Sequence, residues 1–248
     1  MNDLKKYSNY NIIIHVILFV SVFFFFATCQ AIFQLLFIWR KTNNSIEYIL
    51  NDISKLDNSI YKYMGVEFAS IEASCLSLIL IFIIIKYIYK EDALNYLKIK
   101  KTSLKKVFIY LGVFITGLIS ISFIANQLGI EALEEGADFA KSLINPNTNI
   151  ILLIIAIGIL QPIFEEVIFR GFLFEHIERK WGGLIAIITT SFIFSIVHGQ
   201  YNIYILMIVL LPMSFFLGYT RWKTKSLTPA IILHCTNNSL TLAATLLY

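Results

Sequence analysis

The chain has 248 residues, of which 58% are hydrophobic and 15% charged, and its mean hydropathy is +0.74. Soluble domains carry about 25% charged residues, so these values exclude an ordinary soluble fold and predict a polytopic membrane protein. The net charge of +4 does not point to a nucleic-acid partner, because the cations sit mostly in short connections between apolar runs, where membrane topology accounts for them.

Cys29, Cys75 and Cys235 all lie in apolar segments, and an odd number at such spacing sets up no disulfide framework, so they read as small packing residues. Lys5 and Lys6 precede an apolar run, as in a signal peptide. The run from Ile12 to Ile38 is too long for one and is expected to be a retained first span.

Seven stretches are candidates to cross a hydrocarbon core of roughly 30 Å, which takes about 20 helical residues. They run from Ile12 to Ile38, Glu67 to Ile85, Val107 to Leu128, Ile150 to Phe174, Leu184 to His198, Tyr201 to Tyr219 and Leu227 to Tyr248, the fifth being short. No internal repeat or linker divides them. The expected fold is an all-α membrane helical bundle of about seven spans in one domain, 1–248, with N-terminal helices over 1–149 and the motif-bearing helices over 150–248. The N-terminus, the second, fourth and sixth connections hold fourteen Lys and Arg, against five on the opposite side. By the positive-inside rule the N-terminus is cytoplasmic, and the acidic third loop with Glu131, Glu134, Glu135 and Asp138 faces outward.

In the first three spans, His15 has no acidic or histidine neighbour at helical spacing, and Glu67 and Glu72 read as interfacial. The fourth is different. Gln161-Pro-Ile-Phe-Glu-Glu-Val-Ile-Phe-Arg-Gly171 sets two carboxylates and a guanidinium in an apolar run, and intramembrane charges of this kind point to function. Trp181-Gly182-Gly183 permits a tight reversal, which brings Glu165 and His198 to one level about 24 Å from the turn. His234 comes to a similar depth, roughly 13 Å inside the inner surface if Glu175 to Lys180 projects into the cytosol. Glu166 and Arg170 share a helix face as an ion pair; so do His234 and Asn238, and Phe194 and His198. Glu165, about 100° from Glu166, lacks Arg170 as a partner and is the better candidate for chemistry. Pro162 removes the helical donor to the Gly158 carbonyl, giving a packing kink or a water path. His176 reads as solvated, Phe194 as packing, and Cys235 and Asn237 as lying off the His234/Asn238 face.

A carboxylate beside two imidazoles suits activation of water for hydrolysis of a carbonyl bond. Glu165 serves as general base, an imidazole orients the water, and His234 with the Asn238 amide donates to the oxyanion. Glu165, His198 and His234 equally form a two-imidazole, one-carboxylate set for catalytic Zn²⁺, and spacing leaves the metal-free and zinc versions both open.

Glu165-Glu166-x-x-x-Arg170, Phe194-x-x-x-His198 and His234-x-x-x-Asn238, in this order and on separate membrane helices, resemble the three motifs of the CPBP (CAAX protease and bacteriocin-processing, or Abi) intramembrane proteases. The resemblance covers about Ile150 to Tyr248. It implies an endopeptidase of a bacterial plasma membrane, possessing the metalloprotease label usual in that family and linked to bacteriocin immunity or peptide-signal maturation. It also implies that Glu165 and His198 position the water, that Glu166 and Arg170 support them, and that His234 and Asn238 hold the oxyanion. The expected partners are the lipid bilayer and a peptide or membrane-protein substrate, not prenylated and reached from the cytoplasmic leaflet; the sequence does not fix the oligomeric state. A non-catalytic membrane scaffold or immunity protein and a proton-coupled transporter are the alternatives. The first has no need of all three motifs, and the second lacks inverted repeats or paired broken helices.

Overall fold

The computed structural model describes residues 12–54, 61, 63–129, 138–146 and 148–247, and among them every regular element is helical. Six helices are long and apolar enough to cross a membrane: α1 (Ile12–Thr42), α3 (Val66–Tyr89), α5 (Leu104–Gln127), α6 (Ile150–Trp181), α8 (Ile203–Thr224) and α9 (Thr228–Leu247). The fifth expected stretch forms α7 (Gly183–Val197), whose 15 residues make it shorter than the others. Two short helices, α2 (Ile46–Ile53) and α4 (Ala93–Tyr96), lie in the connections, and residues 138–142 are helical as well. Lys5, Lys6, Lys55, Lys62, Glu131, Glu134 and Glu135 of the topology count lie outside the described residues.

Side-chain caps explain where several helices begin. The Ser45 hydroxyl accepts from the Tyr48 N–H at 3.2 Å to open α2, and Asn149 Oδ1 accepts from the Leu152 N–H at 3.1 Å to open α6. The backbone N–H of Asn149 in turn donates to Glu67 Oε1 at 3.1 Å. Glu67 is fully buried and ties the start of α3 to that of α6; Glu72 is exposed.

The hairpin between α6 and α7 turns where the sequence places it, at Gly182, whose φ of +86° favours glycine. Its neighbour Gly183 is needed for space, because a Cβ there would overlap the Trp222 indole of α8. At the same end, the Leu227 N–H donates to the Lys98 carbonyl at 2.9 Å and the Ser226 hydroxyl to that of Lys100 at 2.8 Å. A Cβ on Gly171 would come within 2.7 Å of Leu97 Cδ2. These contacts pin the lysine-rich connection after α4 beneath α6 and α9.

One apolar core joins the helices. It includes Phe19 of α1, Ile85 of α3, Phe114 of α5, Phe164, Phe169 and Phe172 of α6, Phe194 of α7, Leu217 of α8 and Leu233 of α9. The outward faces carry exposed apolar side chains such as Phe24, Ile79, Phe108 and Ile196, as suits surfaces solvated by lipid.

The polar end of α6 departs from expectation. Glu175, His176 and Ile177 are buried rather than projecting into water. His176 stacks on His15 with ring centroids 3.3 Å apart, so neither histidine stands alone or solvated. Arg221 is also fully buried and donates to Glu175 Oε2 at 2.7 Å.

Candidate active site

The backbone of α6 is irregular where the site forms. Residues Ile154–Leu160 and Val167–Leu173 are π-helical on either side of Gln161–Glu166, and such wide turns recur at functional sites. Pro162 has no N–H to give, which takes one helical donor from the preceding turn, and three carbonyls there accept from α9. Ile157 accepts from Asn238 Nδ2 at 3.2 Å, Gly158 from the Ser239 hydroxyl at 3.3 Å, and Ile159 from the Cys235 thiol at 3.6 Å. These bonds fix the register of α9 on α6. Cys235 takes part in them, whereas the sequence suggested a bystander.

Behind the site lies a sealed charge cluster. Glu166 and Arg170, both fully buried, pair at 2.8 Å over the expected four-residue spacing. Arg170 reaches on to α8, where its Nη2 donates to Ser214 Oγ at 2.6 Å and to the Ser214 carbonyl at 3.3 Å. Its guanidinium also lies 4.4 Å over the Phe194 ring. That ring packs edge-on against His234 at 5.7 Å, so Phe194 is shared by the cluster and the site.

Two imidazoles are fixed by what their Nδ1 atoms touch. His234 Nδ1 lies 2.9 Å from Glu166 Oε1, and His198 Nδ1 lies 2.7 Å from the Phe194 carbonyl. A carboxylate and a carbonyl only accept, so both Nδ1 atoms carry hydrogen, and in the neutral rings both Nε2 atoms present a lone pair. Those Nε2 atoms face Glu165 Oε2, at 3.7 Å from His234 and 4.0 Å from His198. Gln161 Nε2 donates to the other oxygen, Oε1, at 3.0 Å, which leaves Oε2 as the atom turned toward the imidazoles.

A cavity of about 590 Å³ meets this group; Glu165, His198, His234, Asn238 and Gln161 line it, while Glu166 and Arg170 do not. The structure therefore brings together Glu165, Glu166, Arg170, His198 and His234. Asn238 lies one turn farther along α9, in the cavity wall, with one amide hydrogen committed to Ile157. Gln161 and Ser214 were missed by sequence reasoning. The first was detectable, since Gln161 and Glu165 share the four-residue spacing of Glu166 and Arg170; Ser214 belongs to another helix and carried no signal.

Two imidazole Nε2 atoms and one carboxylate oxygen, each imidazole anchored through Nδ1, match in kind the ligands and second-layer partners of a catalytic zinc. As they stand, no three His, Cys, Asp or Glu among the described residues are drawn together as a metal set.

Comparison with known proteins gives one match. Residues 147–240 match the family model described as type II CAAX prenyl endopeptidase Rce1-like, in agreement with the CPBP resemblance of the motifs. No curated protein matches significantly. The same holds for solved structures.

Proposed function

We propose that this CPBP-type domain is an intramembrane endopeptidase that hydrolyses a peptide bond of a peptide or membrane-protein substrate. The observation that carries the proposal is Glu165 Oε2, set in a cavity wall and faced by the Nε2 atoms of His198 and His234. Separations of 3.7 and 4.0 Å are too long for direct hydrogen bonds and suit a water between the groups.

Glu165 takes a proton from that water while an imidazole Nε2 accepts the second hydrogen bond and aims the oxygen. The new C–O bond makes a tetrahedral oxyanion, toward which Asn238 Nδ2 has one hydrogen left after its bond to Ile157. The C–N bond then breaks as Glu165 returns its proton to the leaving amine. With its Nδ1 hydrogen on Glu166, a neutral His234 ring accepts from the water through Nε2, and only the imidazolium donates to the oxyanion. Glu166, Arg170 and Ser214 touch no reacting atom; they hold the His234 ring. Zn²⁺ held by Glu165, His198 and His234 would supply Lewis-acid activation of the water. Following the family, we place the enzyme in a bacterial plasma membrane, in bacteriocin immunity or peptide-signal maturation.

The test is cleavage of a membrane-peptide library by the purified protein in detergent, comparing wild type with Glu165→Gln. Cleavage by wild type alone supports the proposal, whereas equal behaviour of both removes the enzyme and leaves a binding role. Chelation separates the two versions of the chemistry. Loss of cleavage reversed by Zn²⁺ means a metalloprotease, and retained cleavage means Glu165 and the imidazoles suffice.

A further inference from the structure

The cavity is one-sided. Its residues nearest the lysine-rich end of the bundle are Ile115, Glu165, Phe194, Met213 and His234, and everything else that lines it lies toward the opposite end. Beneath that floor the packing is closed, with Phe169, Phe172, Glu166 and Arg170 all at most 1% exposed. At its other end the rim carries the exposed polar residues Asn126 of α5, Gln200 in the turn between α7 and α8 and Thr241 of α9, beside a buried apolar patch of Ala140, Leu143 and Leu242. The lysine-rich connections are the cytoplasmic ones by the charge count.

We infer that the substrate reaches Glu165 from the non-cytoplasmic side, as an apolar segment in extended form lying in the outer half of the membrane. The inference rests on the proposed peptidase activity for the word substrate, but the direction of entry rests on the cavity and the charge count. It reverses the sequence-based expectation of access from the cytoplasmic leaflet. From His234 at the floor to the exposed Thr241 at the rim is seven helical residues, about 10 Å. An extended chain rises about 3.3 Å per residue, so three or four substrate residues fill the descent to the carboxylate. The apolar wall of Leu118, Ile119 and Phe123 selects apolar side chains for that stretch. The polar mouth accommodates the backbone where it leaves the cavity. Exported peptides and the outward ends of membrane spans are the substrates that fit; a cytosolic tail is excluded.

Direction can be tested without any activity. In a background with Cys29, Cys75 and Cys235 replaced by alanine, Gln200→Cys and a control on the opposite side, Lys105→Cys, are treated with a membrane-impermeant maleimide in intact cells and in inverted vesicles. Labelling of Gln200→Cys in cells only, and of Lys105→Cys in vesicles only, is the expected result. Labelling of Gln200→Cys from the cytoplasmic face, or from neither face, overturns the inference even if the protein proves to be a protease. A second readout uses one apolar reporter segment placed in either half of a transmembrane substrate. Cleavage confined to the outer-half reporter is expected; cleavage confined to the inner-half reporter refutes entry from outside. With labelling from outside but neither reporter cut, the direction stands and the peptidase proposal falls.

Discussion

Helix α6 carries two buried charge clusters about one and a half turns apart, and they look alike. In the deeper one Arg170 is fully buried, pairs with Glu166 and lies over Phe194; in the other, Arg221 of α8 is fully buried, pairs with Glu175 and lies 5.2 Å over Phe174. The lower cluster continues sideways into further ion pairs, with Arg179 bridging Glu175 to Glu91 and Lys225 meeting Glu178 at 2.6 Å. The upper one ends instead on an imidazole, and that imidazole faces a carboxylate oxygen in a cavity wall. Burial of charge is thus common to a lock and to a site. What separates them is a titratable oxygen left facing a space that a substrate can enter.

The largest effect expected from this difference is at that oxygen. Glu165→Gln lowers cleavage by about 10²–10⁴-fold, the usual worth of a general base, with the melting temperature in detergent close to wild type. The next comparison sets the clusters against each other. Arg170→Met takes from the fully buried Glu166 its one ion-pair arginine and leaves it only the His234 contact, at a cost of about 3–5 kcal/mol in chemical or thermal unfolding, whereas Arg221→Met leaves Glu175 paired with Arg179 and Lys98 and costs less. Activity per folded molecule then separates them: it falls with Arg170→Met, which frees His234 to turn, and survives Arg221→Met. Equal loss of specific activity in both variants would erase the distinction between lock and site. Gln161→Leu is milder. Losing one hydrogen bond to a charged group is worth about 1.5–3 kcal/mol, so turnover falls by about 10–150-fold, in kcat rather than KM. The smallest effect is Ser239→Ala, which withdraws one hydroxyl from the Gly158 carbonyl, costs about 0.5–1.5 kcal/mol of stability and leaves turnover unchanged.

Sequence reasoning reached the upper cluster and missed the lower for a physical reason. Glu165, Glu166 and Arg170 stand in an apolar run, where charge is conspicuous, and helical rise alone brings His198 level with them. Glu175, Arg179 and Arg221 stand among other polar residues near the ends of spans, so the sequence offers no contrast between a solvated charge and a buried one; the same holds for His176. The partners of His15 and Glu67 come from helices distant in the chain, and no local spacing reports such contacts. The direction of the cavity was equally hidden, because it depends on which ends of five elements pack and which stand apart. The span count was nearly legible. Its one ambiguity, the short stretch before His198, is a helix that stops at the depth where its histidine is used.

The three carbonyls around Pro162 that are closed by α9 have a consequence for biogenesis. The chain is made from its N-terminus at about 5–20 residues per second, so α6 is synthesised well before α9. Throughout that interval Glu166 and Arg170 have each other, but Glu165 has no His234, and one carbonyl before Pro162 lacks its helical donor. The nascent protein therefore carries its carboxylate without the group that arms it, and the insertion of α9 both repairs the backbone and completes the site. If the chain is the hydrolase proposed, a cell can make it beside the other half-inserted chains of its translocation machinery without exposing them to it.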